Sequence, residues 1–197
     1  MPLLLIASTN PGKVVEFRRM LAAVGWEVRV PTDLALELEV AETGATFLDN
    51  AVLKARAFAA ASGLPALADD SGLEVDALGG EPGVHSARWA PGSDADRVAA
   101  LLSRLIAVPM AERGARFRAA LALAWPDGRL LTAEGRVAGR ISRQVRGSGG
   151  FGYDPVFLVE DGGIDGSLTM AELEPARKAA LSHRARALEA LLRQLPR

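Results

Sequence analysis

A chain of 197 residues, 49% hydrophobic and 24% charged, can build one sizeable core or two lobes on a shared sheet. Its formal net charge of -1 excludes the broad basic footprint of a nucleic-acid binder, yet allows a local basic pocket for a small anion. The absence of cysteine excludes disulfides, thiolate catalysis and cysteine-ligated zinc.

The apolar run at residues 3–7 has the length of a buried strand. It is too short to span a bilayer and lacks the basic flank of a signal peptide, so a cytoplasmic protein without a membrane partner is expected. Residues 8–12 form a polar turn, and Val14, Phe17, Leu21 and Val24 then mark one helical face. Trp26 to Val30 reads as a second strand. Thr46 or Asp49 is placed to cap a long helix that ends near Ala61, before Ser62-Gly63-Leu64-Pro65. Ala66-Leu67-Ala68 and Leu73-Glu74-Val75 read as short strands on either side of Asp69-Asp70-Ser71-Gly72.

Residues 79–92, rich in Gly and Pro, predict a long loop, and Asp94 to Ile106 a helix. The segments 116–125 and 129–137 flank Pro126-Asp127-Gly128, a hairpin signal. Gly147 to Gly152 is a glycine-rich loop opening onto Tyr153-Asp154-Pro155, and Pro175 to Leu195 is read as one final helix. Alternating strands and helices predict an α/β fold, and the hairpin makes its sheet mixed rather than purely parallel.

Scarce polar residues cluster in this pattern. Only three of 23 basic residues are lysines, namely Lys13, Lys54 and Lys178, and the only asparagines are Asn10 and Asn50. A lysine kept in an arginine-rich chain points to a site that wants a compact ammonium. Ser8, Thr9, Asn10, Pro11, Gly12 and Lys13 lie between a strand and a helix. They miss the phosphate-loop pattern at Ala7 and Val14, but helix N–H groups and one lysine still make an anion site.

Asp69 and Asp70 follow an apolar strand, where carboxylates suit Mg²⁺ or Mn²⁺; their neighbours also favour turns, and the two readings weigh equally. Phe151, Gly152, Tyr153 and Asp154 combine aromatic faces, close backbone approach and a carboxylate, which suits a nucleobase. Lys178, His183 and Arg184 add donors on the last helix.

Six segments carry a family resemblance: Ser-Thr-Asn-x-x-Lys-x-x-Glu at 8–16, Glu-Thr-Gly-x-Thr-Phe-x-Asp-Asn-Ala-x-x-Lys-Ala at 42–55, Ala-Asp-Asp-Ser-Gly-Leu at 68–73, Pro-Gly-x-x-Ser-Ala-Arg at 82–88, Gly-Gly-Phe-Gly-Tyr-Asp-Pro-x-Phe at 149–157 and Lys-x-x-x-Ser-His-Arg at 178–184. In this order they resemble the inosine triphosphate pyrophosphatase family, which acts on non-standard purine nucleoside triphosphates. The resemblance implies hydrolysis of ITP, dITP and XTP to monophosphate and pyrophosphate, Mg²⁺ dependence and a homodimer. It also implies a single 1–197 domain of two lobes around a central mixed, twisted sheet flanked by helices, with the site in the cleft between lobes.

By the same resemblance Asp70 is the proton acceptor and a metal ligand, with Asp69 beside it, and Ser71 touches substrate. Residues 8–13 and Lys54 take the triphosphate, Phe151 to Asp154 the base, and Lys178, His183 and Arg184 close over the nucleotide. Where the family often carries a first acidic metal ligand, this chain has Ala41, which leaves Glu42 as the substitute candidate. A non-catalytic nucleotide-binding module would not need the Asp69-Asp70 pair with Lys13.

Overall fold

Strand β1 (Leu3–Ile6) is buried over its last three residues, as its apolar run requires. It leads into helix α1 (Pro11–Ala22), in a computed structural model that describes residues 3–195; residues 1–2 and 196–197 of the expected domain lie outside the described residues. Asn10 caps α1 by accepting the Lys13 N–H at 3.1 Å, and Pro11 at the first helical position sacrifices no hydrogen bond. Phe17 and Leu21 are buried, but Val24, expected on the same stripe, lies past the helix end and is 49% exposed.

Strand β2 (Glu27–Arg29) follows, then helix α2 (Phe47–Ser62). Thr46 and Asp49 cap α2 reciprocally: Thr46 Oγ1 accepts from Asp49 N at 3.1 Å, and Asp49 Oδ2 accepts from Thr46 N at 3.0 Å.

Strand β3 (Ala66–Val75) corrects one expectation. The two short strands are a single strand of ten residues that passes through Asp69-Asp70-Ser71-Gly72 without a turn. Eight of its ten positions are buried, so sheet pairing and packing override the turn preference of these residues. In an uninterrupted strand the side chains of Asp69 and Asp70 leave on opposite faces.

Helix α3 (Asp94–Arg104), strands β4 (Gly114–Ala124) and β5 (Leu130–Ile141), and strand β6 (Phe157–Val159) follow. The turn between β4 and β5 lies where Pro126-Asp127-Gly128 places it. The expected final helix is two helices, α4 (Pro175–Leu181) and α5 (His183–Leu192), separated by extended backbone at Ser182 (φ -62°, ψ 150°). Serine competes with the helix for its own backbone and favours helix ends, which explains the break. His183 and Arg184 thereby open a new helix.

The strands form one sheet in the order β2-β1-β3-β4-β5-β6. β1 is parallel to β2 and to β3, whereas β5 and β6 are antiparallel, so the sheet is mixed as expected. Among the described residues no helix is long and apolar enough to cross a membrane.

The fold divides into two compact units. The first comprises the chain up to Asp70, Ala119–Gly135 and the chain from Arg184 onward; the second comprises Ser71–Arg118 and Arg136–His183. The first unit's core gathers Leu4, Ile6, Phe17, Leu21, Leu121 and Leu188. The second unit's core gathers Leu73, Leu101, Phe117, Ile141, Tyr153 and Phe157.

The α1 register is testable. Phe17 is 1% exposed and Val15 67% exposed. Phe17→Ala is expected to cost about 3–5 kcal/mol in urea denaturation, and Val15→Ala to change stability by no more than about 0.5 kcal/mol. Equal effects of the two substitutions would contradict this packing.

Candidate active site

In the first unit, β3 delivers Asp69 and Asp70 among side chains from α1, α2, α5 and the segment before α2. Asp69 Oδ2 pairs with Lys13 Nζ at 2.6 Å and with Arg184 Nε at 3.3 Å. The second arm of the Arg184 guanidinium reaches Glu16 Oε2 at 3.1 Å. The backbone carbonyl of Asp69 accepts from Lys54 Nζ at 2.9 Å, and that ammonium also meets Glu42 Oε1 at 2.7 Å and Asp70 Oδ1 at 3.6 Å. The other oxygen of Asp70 accepts from Asn50 Nδ2 at 3.1 Å.

Two adjacent carboxylates are thus driven apart electrostatically. Burial alone would raise the Asp69 carboxyl, but the Lys13 ammonium, the Arg184 guanidinium and Lys54 together hold it well below the usual carboxylate range. Burial raises the Asp70 carboxyl from its ordinary value, and the partial opposition of Lys54, Lys13 and the Asn50 hydrogen bond does not cancel it. Burial also lowers the Lys13 ammonium; Asp69 opposes this, while Arg184 and Lys54 add to it. Environments that split neighbouring acids in this way mark sites of acid–base chemistry.

The loop before α1 holds its own shape, with Ser8 Oγ accepting from Asn10 N at 3.2 Å. Thr9, Asn10 and Pro11 are exposed, and Ser8 and Gly12 half-buried, so this helix N-terminus faces solvent where an anion can approach.

In the second unit, the glycine-rich loop is organised by Asp154. Its Oδ2 accepts from Phe151 N at 2.9 Å and from Lys178 Nζ at 2.7 Å, and that ammonium lies 5.4 Å from the centre of the Phe151 ring. A Cβ at Gly150, whose φ is +78°, would fall against the Asp154 carboxylate and Lys178 Nζ, so only glycine fits. Asp94 anchors the loop two residues further on by accepting from Gly152 N at 2.8 Å. An apolar cavity of about 370 Å³ borders this loop, with Val98 and Leu102 of α3 on its other wall.

Tyr153 is buried in the core of this unit and donates its hydroxyl to Ser86 O at 3.0 Å, and burial pushes its phenol up to about 12. His183 is buried and stacked on Phe117, with ring centres 4.9 Å apart and planes 12° apart. Ser71 is half-buried on β3, next in the chain to Asp70.

Nine of the site residues expected from sequence therefore fall into two groups, and residues 8–12, Ser71, Gly152, Tyr153 and His183 stand outside them. Lys13, Glu42, Lys54, Asp69, Asp70 and Arg184 are joined by ion pairs in the first unit, and Phe151, Asp154 and Lys178 are joined in the second. Two further residues that contact the first group were not among the expected site residues: Asn50, which is completely buried, and Glu16. The scarcity of asparagine singled out Asn50, but only the fold shows that its amide meets Asp70.

The donors present suit a hard divalent cation. Among the described residues no trio of histidine, aspartate and glutamate side chains gathers in ligand geometry. Mg²⁺ needs no such trio when one or two carboxylates are completed by water and phosphate oxygens, and Asp70 and Glu42 already face one ammonium. Asp69, engaged by Lys13 and Arg184, stands beside that pair.

Comparison with known proteins places the chain in a family. A dITP/XTP pyrophosphatase of Symbiobacterium thermophilum is 53% identical over 193 residues, covering 98% of this chain and 94% of the relative. One from Thermus thermophilus is 52% identical over 188 residues, covering 95% and 88%. The structure of a Ham1 protein from Coxiella burnetii superposes with a TM-score of 0.85 at 40% identity, covering 97% of this chain and 96% of that one. A nucleoside-triphosphatase, or dITP/XTP pyrophosphatase, from Mycobacterium abscessus gives 0.75 at 49% identity, with 96% and 98% covered. The sequence profile of the Ham1 family matches residues 4–194, and the chain belongs to the Ham1 family.

Proposed function

We propose that this chain hydrolyses the non-standard purine nucleoside triphosphates ITP, dITP and XTP to the monophosphate and pyrophosphate, clearing them from the nucleotide pool. The relatives named for dITP/XTP pyrophosphatase activity, about half identical along nearly the whole chain, support this reading. The structural observation that carries it is the division of labour at β3: Asp69 is committed to cations, while Asp70 is buried beside one amide and a more distant ammonium.

The exposed turn before α1 presents N–H groups to the triphosphate, and Lys13 and Lys54 supply positive charge for the departing pyrophosphate. Asp70, with a carboxyl raised by burial, is a stronger base than an exposed aspartate. It takes a proton from water as the water oxygen bonds to the α-phosphorus. The bond from that phosphorus to the oxygen bridging it to the β-phosphate breaks, and pyrophosphate leaves with the electron pair. Asp70 and Glu42 would hold Mg²⁺, with Asp69 alongside, and the metal when bound would neutralise phosphate charge. Mn²⁺ offers the same octahedral oxygen chemistry.

Base recognition belongs to the Phe151–Asp154 segment with Lys178, His183 and Arg184. Donors facing the 6-position donate to a keto oxygen, whereas the amino group of adenine would set donor against donor and leave buried groups unpaired. A homodimer, which rests on the motif resemblance, and a cytoplasmic location, which rests on the short opening apolar run, complete the reading; a monomer by sedimentation at micromolar concentration would contradict the dimer.

Pyrophosphate release with Mg²⁺ tests the activity. Turnover of ITP, dITP and XTP is expected to exceed that of GTP and ATP by about 100-fold or more in kcat/KM, and chelation of the metal to abolish it. Equal rates on GTP would overturn the assignment. Asp70→Asn is expected to keep nucleotide affinity while kcat falls by about 10²–10⁴-fold. Near-normal turnover in that variant would remove Asp70 from the base role.

A further inference from the structure

Asn50 lies in the first turn of α2 and is completely buried, so both ends of its carboxamide need partners. Its Oδ1 accepts from Gly44 N at 2.7 Å, and its Nδ2 donates to Asp70 Oδ2 at 3.1 Å. The amide orientation follows from chemistry, because a backbone N–H can only donate and must face the oxygen. The NH₂ end is left to face the carboxylate.

Gly44 is built for this contact. A Cβ there would lie 2.7 Å from Asn50 Oδ1 and 2.5 Å from Asp49 Cβ, so any other residue would push the loop away. Two residues earlier in the same loop stands Glu42, whose carboxylate shares Lys54 with Asp70. One side chain therefore joins the Glu42 loop to the Asp70 carboxylate.

We propose that Asn50 is a positioning residue that fixes the Asp70 carboxylate and its spacing from Glu42, by bridging Gly44 N and Asp70 Oδ2. Asparagine suits the position because it is short and carries a donor and an acceptor on one rigid plane. Aspartate would set an acceptor against an acceptor, and alanine would leave the Gly44 N–H and one Asp70 oxygen without this partner. Held by the amide, Asp70 keeps one oxygen anchored and its rotamer set.

This inference rests on the proposed hydrolysis, and its test separates the two. Asn50→Ala and Asn50→Asp are assayed beside wild type for kcat and KM on dITP, with the folded fraction established by thermal melting. Mn²⁺ binding to the nucleotide-free proteins is measured by isothermal titration calorimetry. Loss of the bridge is expected to lower kcat about 10–100-fold with KM changed less than about threefold, and to weaken Mn²⁺ by a similar 10–100-fold factor.

Gly44→Ala, which displaces the loop without touching Asp70, is expected to weaken Mn²⁺ binding with a smaller loss in kcat. Wild-type kcat and Mn²⁺ affinity in the folded Asn50 variants would overturn the inference even if their melting temperatures fell, since that is the mark of a purely structural residue. An inactive wild type would instead count against the hydrolysis itself. In that case the Mn²⁺ titration alone decides the role of Asn50: weakened binding in the variants supports it and unchanged binding overturns it.

Discussion

The Asp69 carboxylate is the interaction on which the first unit's site depends. Through Lys13 and Arg184 it ties β3 to α1 and α5, and the Glu16 contact on Arg184 closes the connection back onto α1. All of these side chains except Glu16 are at least four-fifths buried, where an ion pair lacking one partner is strongly unfavourable. The result is a preset array of charge rather than a set of mobile surface side chains. Asp69 serves as the buried counter-ion of both cations.

With Asp69 committed in this way, its neighbour is released for a different task. Asp70 leaves β3 on the opposite face and meets a neutral amide and a shared ammonium. Alternation along one strand thus gives two identical side chains different environments, and the environments give them different chemistry. Lys54 couples the two faces, since it contacts the Asp69 carbonyl while facing Glu42 and Asp70. The second unit repeats the device on a smaller scale: one carboxylate, Asp154, holds the backbone of Phe151 and the ammonium of Lys178 together.

Much of this was legible in the sequence because the informative residues are rare. Each of the three lysines pairs with a carboxylate named from the motifs, and the α/β character followed from periodicity. The misreadings have a common cause. Asp69 to Gly72 has turn-forming composition and Pro175 to Leu195 has helical composition, yet tertiary burial carries the first through as a strand and Ser182 divides the second. Asn50 was visible as an oddity, but its partners Gly44 and Asp70 lie 6 and 20 residues away, and only the packing of α2 beside β3 brings them together.

The central claim is that β3 carries two aspartates of unlike character, one a fixed counter-ion and the other a base. Carboxyl-carbon NMR titration of the metal-free and nucleotide-free protein, with Asp69→Asn and Asp70→Asn variants for assignment, reads this directly. The account requires Asp69 to stay ionised as pH falls through the usual carboxylate range, and Asp70 to take up its proton at a higher pH than an exposed aspartate does. The stability linked to Asp69 should then be fully present above its unfolded value of about 3.9, and be lost only as pH falls through the depressed folded value. Two carboxyls titrating together at ordinary values, or Asp69 protonating first, would contradict the account.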